Sequence, residues 1–304
     1  MNYPSFKTTE YTVSRGKVPA SFDGFRIAVI ADLHDCTIGG DHSPLLRQLD
    51  RLAPDLILLA GDMITETGRA PEHVQYRNAA HLLRRLPAIA PVWCGLGNHE
   101  KRWQEFAGEE SLSFADWRSA TEKWGIRWLE NESSELVRGE DRLRVTGLSL
   151  PRRFYNKRKK VILTPAEIEA LVGRADREAY QILLAHTPAF TESYMAWGAG
   201  LALAGHYHGG VVRLPFLGGV ISTNFRLFPK YDCGCYPFPS GEMVVTAGLG
   251  CHTIPVRLWN PPELVLLTLR SEEQERVPEC RGRVPLQQGR SSAGKEEVHG
   301  THRV

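Results

Sequence analysis

Five short apolar runs, each ending abruptly on acidic, amide or imidazole side chains, constrain this chain more than any other feature. Residues 25–31 lead into Asp32-Leu33-His34, 55–60 into Gly61-Asp62, and 91–96 into Gly97-Asn98-His99-Glu100. Residues 181–185 lead into His186, and 201–204 into Gly205-His206-Tyr207-His208. Near-continuous apolar character over so short a stretch is expected of strands covered on both faces. Between the first three runs, Leu45, Leu46, Leu49 and Leu52 mark one helical face, and Val74, Ala79, Leu82, Leu83 and Leu86 a second. Strand alternating with helix predicts a layered α/β sheet. In such sheets ligands gather beyond the carboxyl ends of the strands, which is where all five polar clusters fall. His206 and His208 stand two residues apart and so project to the same side of an extended strand end. The glycines around them allow a backbone or ligand to come close.

Further along, a helix is expected over 114–124 and strands at 126–129, 135–138 and 143–148. Thr164-Pro165-Ala166-Glu167 reads as a capping box with proline at the first helical position. Strands are also expected at 243–247 and 263–269. The chain divides on this reading into an N-terminal extension (1–21), a catalytic domain (22–270) and a disordered tail (271–304) rich in Glu, Arg, Gln, Ser and Gly. Its 304 residues, 42% hydrophobic, suffice for a full core. The net charge of +2 argues against a dedicated nucleic-acid binder. Six scattered cysteines without a C-x-x-C pair point to reduced thiols, Cys233-Gly234-Cys235 being the one pair placed for a redox or metal accessory role. No signal peptide and no membrane-length apolar run is visible, so a cytoplasmic protein is expected.

The clustered groups are carboxylate, carboxamide and imidazole, with no thiolate. Such donors suit Mn, Fe, Zn or Co rather than a thiolate-held structural zinc. They are numerous enough for two divalent ions sharing one carboxylate, which would leave the cluster about +2 and attractive to a phosphoryl group. His99, beside Asn98, need not bind metal. It can donate to a phosphoryl oxygen or protonate a leaving group, with Glu100 orienting the ring or raising its pKa.

The order D-x-H, G-D, G-N-H-E, lone His, G-H-x-H resembles the calcineurin-like metallophosphoesterases, and the resemblance runs from about residue 22 to 269. It implies a two-sheet β-sandwich flanked by helices, in four layers α/β/β/α. It also implies two ions, Mn, Fe or Zn, one held by Asp32, His34, Asp62 and His208, the other by Asp62, Asn98, His186 and His206. His99 would be the catalytic histidine that is not a ligand. The reaction implied is hydrolysis of a phosphodiester or pyrophosphate by a metal-bridging hydroxide.

The residues Phe22-Asp23-Gly24-Phe25-Arg26-Ile27, with Gly248-Leu249-Gly250 and Arg257, look like a bacterial, cell-envelope-associated phosphodiesterase branch. One enzyme of similar type cleaves the pyrophosphate of UDP-2,3-diacylglucosamine. A lipid-linked nucleotide pyrophosphatase, in peripheral contact with the inner membrane face, is therefore the narrower reading, and a non-catalytic scaffold of the same fold its rival. The basic stretch Arg152, Arg153, Lys157, Arg158, Lys159 and Lys160, interleaved with Phe154 and Tyr155, is a candidate anion patch. The aromatic loop Phe216, Phe225, Phe228, Tyr231, Tyr236 and Phe238 is a candidate apolar wall for substrate. Asp35 and Glu100 are candidates to support the ligands, and Tyr207 and Arg257 to touch substrate.

Overall fold

The central strands alternate between two different cores, which is why their sequences look apolar throughout. The computed structural model describes residues 1–68, 73–105, 113–155, 161–210, 213–214, 218–219, 229–251 and 257–271. One six-stranded sheet contains Lys7–Val13 (β1), Arg26–Ile30 (β2), Leu56–Ala60 (β3), Val92–Gly95 (β4), Ile126–Leu129 (β5) and, last in the chain, Glu263–Leu269 (β12). Its order is β1-β12-β2-β3-β4-β5, parallel except where β12 meets β2. The second holds Ser133–Arg138 (β6), Asp141–Gly147 (β7), Tyr180–His186 (β8), Leu201–Ala204 (β9), Gly234–Phe238 (β10) and Gly241–Val245 (β11). Its order is β6-β7-β8-β9-β11-β10, with the parallel pairs in the middle.

Period-two alternation assigns each side chain to a layer. Ile27, Val29, Leu56 and Leu58 meet Leu143, Val145, Ile182, Leu184, Leu201 and Leu203 between the sheets. Ala28, Ile30, Ile57 and Leu59 face the other way, into helices Ser43–Leu52 (α1), Arg77–Leu83 (α2), Asn98–Gln104 (α3) and Phe114–Glu122 (α4). Leu183, Ala185, Ala202 and Ala204 back onto Pro165–Val172 (α5) and Thr191–Trp197 (α6). The result is the expected α/β/β/α order of layers. Because β2, β3 and β4 run parallel in one sheet and β8 and β9 in the other, their carboxyl ends open on a common edge.

Several local expectations shift. The second helix begins only at Arg77, because Val74–Gln75 pairs as a short ladder with Thr65–Glu66; Leu86 lies in a 3-10 turn. The segment read as an N-terminal extension supplies β1, whose Lys7 and Thr9 side chains bond the buried Glu263 of β12 at 2.7 and 2.6 Å. Strand β10, a hairpin partner of β11, was not foreseen. The thiol of Cys233 is buried against Glu263 at 3.3 Å and Cys235 packs between the sheets, so the pair serves the core. All five cysteines among the described residues are buried. The tail from 272 onward lies outside the described residues.

Candidate metal centre

Immediately past the strand ends the backbone turns left-handed. Asp32, His34, Asp35, Asp62, His186, His206 and His208 have φ between 43° and 66°, and they are seven of the twelve such non-glycine residues among those described. This conformation disfavours side chains with a Cβ, by roughly 1–3 kcal/mol each, and its concentration in one place marks a functional constraint. The turns throw each side chain back over the edge of its own sheet. Two glycines make room for the convergence. A Cβ at Gly97 would enter the Asp62 carboxylate, and one at Gly205 the Asp32 carboxylate.

The two carboxylates tie the sheets together at this edge. Both oxygens of Asp32, after β2, accept from the His206 backbone N–H at 3.1 and 2.8 Å, after β9. Asp62 Oδ1 accepts from the His99 N–H at 2.8 Å, at the start of α3. The other Asp62 oxygen lies 3.1 Å from His186 Nε2, 3.9 Å from His34 Nε2 and 4.0 Å from His99 Nε2. Asp32 Oδ1 is 3.7 Å from the Nε2 atoms of both His34 and His208. Three overlapping groups of donor atoms result: Asp32/His34/His208, His34/Asp62/His99 and Asp62/His186/His206, each within 4.8 Å.

Hydrogen bonds on the far side of the rings separate their roles. His186 Nδ1 lies 2.8 Å from the Ala60 carbonyl and His208 Nδ1 2.9 Å from the Gly250 carbonyl. A carbonyl can only accept, so in the neutral rings Nδ1 carries the proton and Nε2 keeps its lone pair for a cation. His99 is the reverse. Its Nδ1 accepts from the Glu66 backbone N–H at 2.9 Å, so the proton sits on Nε2, which is a donor. Proximity alone would count His99 among the ligands; its tautomer makes it a poor one.

The remaining donors fit cations. The Asn98 side-chain oxygen is buried and accepts no hydrogen bond, which in an interior leaves an unmet acceptor. The Nε2 atoms of His34 and His208 face one another at 3.2 Å. Burial opposes a charge on Asp62, yet His186, His99 and His34 hold its carboxyl well below the usual carboxylate range. Burial likewise works against charging His186, but Asp62 pushes it up to about 10. Burial raises Asp32, against the opposing pull of His208 and His186. Oxygen and imidazole donors, low-dielectric surroundings and anionic centres together suit divalent ions of borderline hardness.

A model of the calcineurin-like phosphoesterase family matches residues 25–212, from β2 to just beyond His208. The chain belongs to this family. It is 28% identical over 269 residues to the uncharacterized metallophosphoesterase YkuE of Bacillus subtilis, covering 87% of this chain and 86% of the relative. It is 26% identical over 264 residues to the phosphodiesterase YaeI of Escherichia coli, covering 81% and 82%. Membership makes the protein a metal-dependent hydrolase of phosphoester bonds built on the metallophosphoesterase fold.

Around this phosphoesterase centre the supporting residues differ from expectation. Glu100 does not supply the hydrogen bond that orients His99; the Glu66 backbone does. The Glu100 carboxylate, fully buried, instead accepts from the N–H groups of Asp62, Met63, Ile64 and Gly97 at 2.8–3.2 Å, pinning the Asp62 loop to α3. Asp35 accepts from the Ala79 N–H at 2.8 Å, anchoring α2. Arg257 is held by main-chain carbonyls. Its guanidinium donates to the carbonyls of Ala247 and Gly250 at 2.6 and 2.7 Å, and the Gly250 carbonyl also holds His208. Tyr207 is buried beside His206, ring centroids 5.7 Å apart.

Tyr155, read in the sequence only as part of the basic stretch, places its ring 5.5 Å from His206 and 6.3 Å from His186. Asn260 was also missed. Its amide donates to the His208 and Gly210 carbonyls and holds that turn. Of the basic stretch, Lys157, Arg158, Lys159 and Lys160 lie outside the described residues, as do Phe216, Phe225 and Phe228 of the aromatic loop. Tyr231, Tyr236 and Phe238 pack on one another beneath the second sheet. Among the described residues no helix is long and apolar enough to cross a membrane.

Proposed function

We propose that this phosphoesterase is a two-metal enzyme that hydrolyses a phosphodiester or a substituted pyrophosphate. Asp32, His34, Asp62 and His208 would hold one ion and Asp62, Asn98, His186 and His206 the other, with Asp62 shared. The catalytic domain would span 22–270, with β1 completing its sheet. The observation that carries the reading is the opposed hydrogen bonding of the histidines around Asp32 and Asp62. As neutral rings, His186 and His208 direct lone pairs toward the cluster, whereas His99 directs a proton.

Two divalent ions bound there would polarise a phosphoryl oxygen and make a water nucleophilic near neutral pH. The chain's own residues do the rest. Asp62, gripped at one oxygen by the α3 backbone, holds its other oxygen toward the cluster. His99, fixed at Nδ1, holds its Nε2 proton toward the same space, where it can meet a phosphoryl oxygen or the departing oxygen. A lipid-linked nucleotide pyrophosphate is the narrower candidate, supported by the cation-lined cavity described next.

The test is turnover of bis-p-nitrophenyl phosphate beside p-nitrophenyl phosphate, with Mn and with chelator, and metal content by mass spectrometry. Diester hydrolysis that needs metal, with two ions per chain falling on Asp62→Asn, is the expected result. Full activity in chelator, or a single ion at saturation, would overturn the two-metal reading.

A further inference from the structure

The metal centre adjoins a cavity whose walls carry a chemistry that the cluster itself does not use. Residues at i, i+3, i+4 and i+7 share one face of a helix. Along α3 these are Asn98, Lys101, Arg102 and Glu105, and they form one wall of a cavity of about 460 Å³. The turn Arg152–Tyr155 forms the other, with Arg152, Arg153 and Tyr155 lining it. Asn98 belongs to both the cavity and the candidate ligand set, and the Tyr155 ring stands 5.5 Å from His206. The cavity thus borders the metal centre through Asn98 and Tyr155, and its volume is within the range of small-ligand sites.

Among the described residues, four cations line this space against one carboxylate, Glu105. Lys101 pairs with Glu130 at 3.1 Å, Arg102 with Glu66 at 3.3 Å and Arg153 with Glu167 at 3.2 Å, and none of these three carboxylates lines the cavity. Among the described residues, the pair that lies within it is Arg152–Glu105, at 3.0 Å. The side chains of Arg152 and Arg153 are 56% and 63% exposed. Pairs so open to water are weak, and a phosphate can take two guanidinium N–H groups at once. A simple diester of uncharged alcohols gives such a wall nothing to bind.

We propose that this cavity receives a second anionic group of the substrate, namely the other phosphoryl group of a pyrophosphate substituted at both ends. The assignment rests on the hydrolytic reading of the metal centre for its chemistry but not for its binding. In the reaction, water adds to one phosphorus and the bond from that phosphorus to the bridging oxygen breaks. The second phosphomonoester leaves with that electron pair, and each product monoester takes one of the water's two hydrogens. Lys101, Arg102, Arg152 and Arg153 hold the departing monoester. Whether its far end is a nucleoside or a lipid lies beyond the described walls, and the shared feature is the diphosphate.

Binding separates this proposal from turnover. Calorimetry on the Mn-loaded protein would compare adenosine 5′-monophosphate with α,β-methylene adenosine diphosphate, which cannot be cleaved across its bridge. The diphosphate analogue should bind at least about tenfold tighter in the wild type, and Arg152→Gln/Arg153→Gln should bring the ratio close to one. Lys101→Gln, on the opposite wall, should lower the ratio to a smaller extent and serves as the second variant should the first fail to fold. Equal affinities in the wild type, or a ratio untouched by either variant, would refute the proposal. A retained preference without any turnover of bis-p-nitrophenyl phosphate would leave the subsite standing and remove the hydrolytic reading instead.

Discussion

Replacing Glu100 by glutamine tests how the Asp62 loop is held, and the structure says how much should change and at which pH. Oε1 accepts from Met63 and Ile64, and Oε2 from Asp62 and Gly97. A glutamine can satisfy one of these pairs through its oxygen and must turn its NH2 on the other. Two bonds to a buried charge are lost, roughly 3–6 kcal/mol gross. Against this, the amide escapes the penalty of burying a charge. Burial, with the Asp62 carboxylate adding to it, pushes Glu100 up from 4.5 to about 7 despite its N–H donors.

A carboxyl whose pKa rises on folding contributes stability that is full below its unfolded value and lost as pH climbs through its folded value. From 4.5 to about 7 this corresponds to about 3 kcal/mol. The glutamine variant lacks that dependence. The stability gap between wild type and Glu100→Gln should therefore narrow by about 2–3 kcal/mol between pH 5 and pH 8.5. Urea unfolding of both metal-free proteins in chelator at the two pH values measures it. A gap that stays constant, or widens as pH rises, would show that burial does not dominate at Glu100.

His99→Ala should lower kcat by about 10²–10⁴-fold while leaving metal content at two ions, the mark of a proton donor that is not a ligand; loss of an ion with the side chain would contradict the tautomer argument. Gly205→Ala places a methyl in the Asp32 carboxylate. It should reduce metal affinity in calorimetric titrations, whereas unchanged affinity would mean that the β9 turn yields freely. Leu58→Ala opens a cavity between the two sheets, where Leu58 is fully buried. It should destabilise by about 2–5 kcal/mol in urea unfolding, and a loss well under 1 kcal/mol would deny a continuous core there.

Which parts of the site could be read from side chains follows from how each is held. Asp32, Asp62, Asn98, His186 and His206 were legible because each interrupts an apolar strand at the same end, and polar side chains recurring there have little other reason to exist. The layers were legible for the same reason, since strands such as β3 and β8 are apolar on both faces. The partners of Glu100 and Asp35 were not, because they are backbone N–H groups, which every residue offers and no residue type advertises. The anchoring of Arg257 was hidden for the related reason that main-chain carbonyls, which every residue offers, accept from its guanidinium. Strand β1 was hidden in the polar text Lys-Thr-Thr-Glu, since an edge strand needs only one pairing side and a half-buried face.

The deepest distinction in the site is hidden in the same way. His99, in the first turn of α3, and His186, at the end of β8, are the same residue type close to the same Asp62 oxygen. What would separate the proposed proton donor from the proposed ligand is a backbone N–H of Glu66 behind one ring and a backbone carbonyl of Ala60 behind the other. Side chains therefore reveal which groups converge, and the main chain behind them decides which nitrogen each imidazole presents. A variant that alters the Thr65–Glu66 ladder without touching any side chain of the cluster would accordingly be expected to impair catalysis through His99 alone.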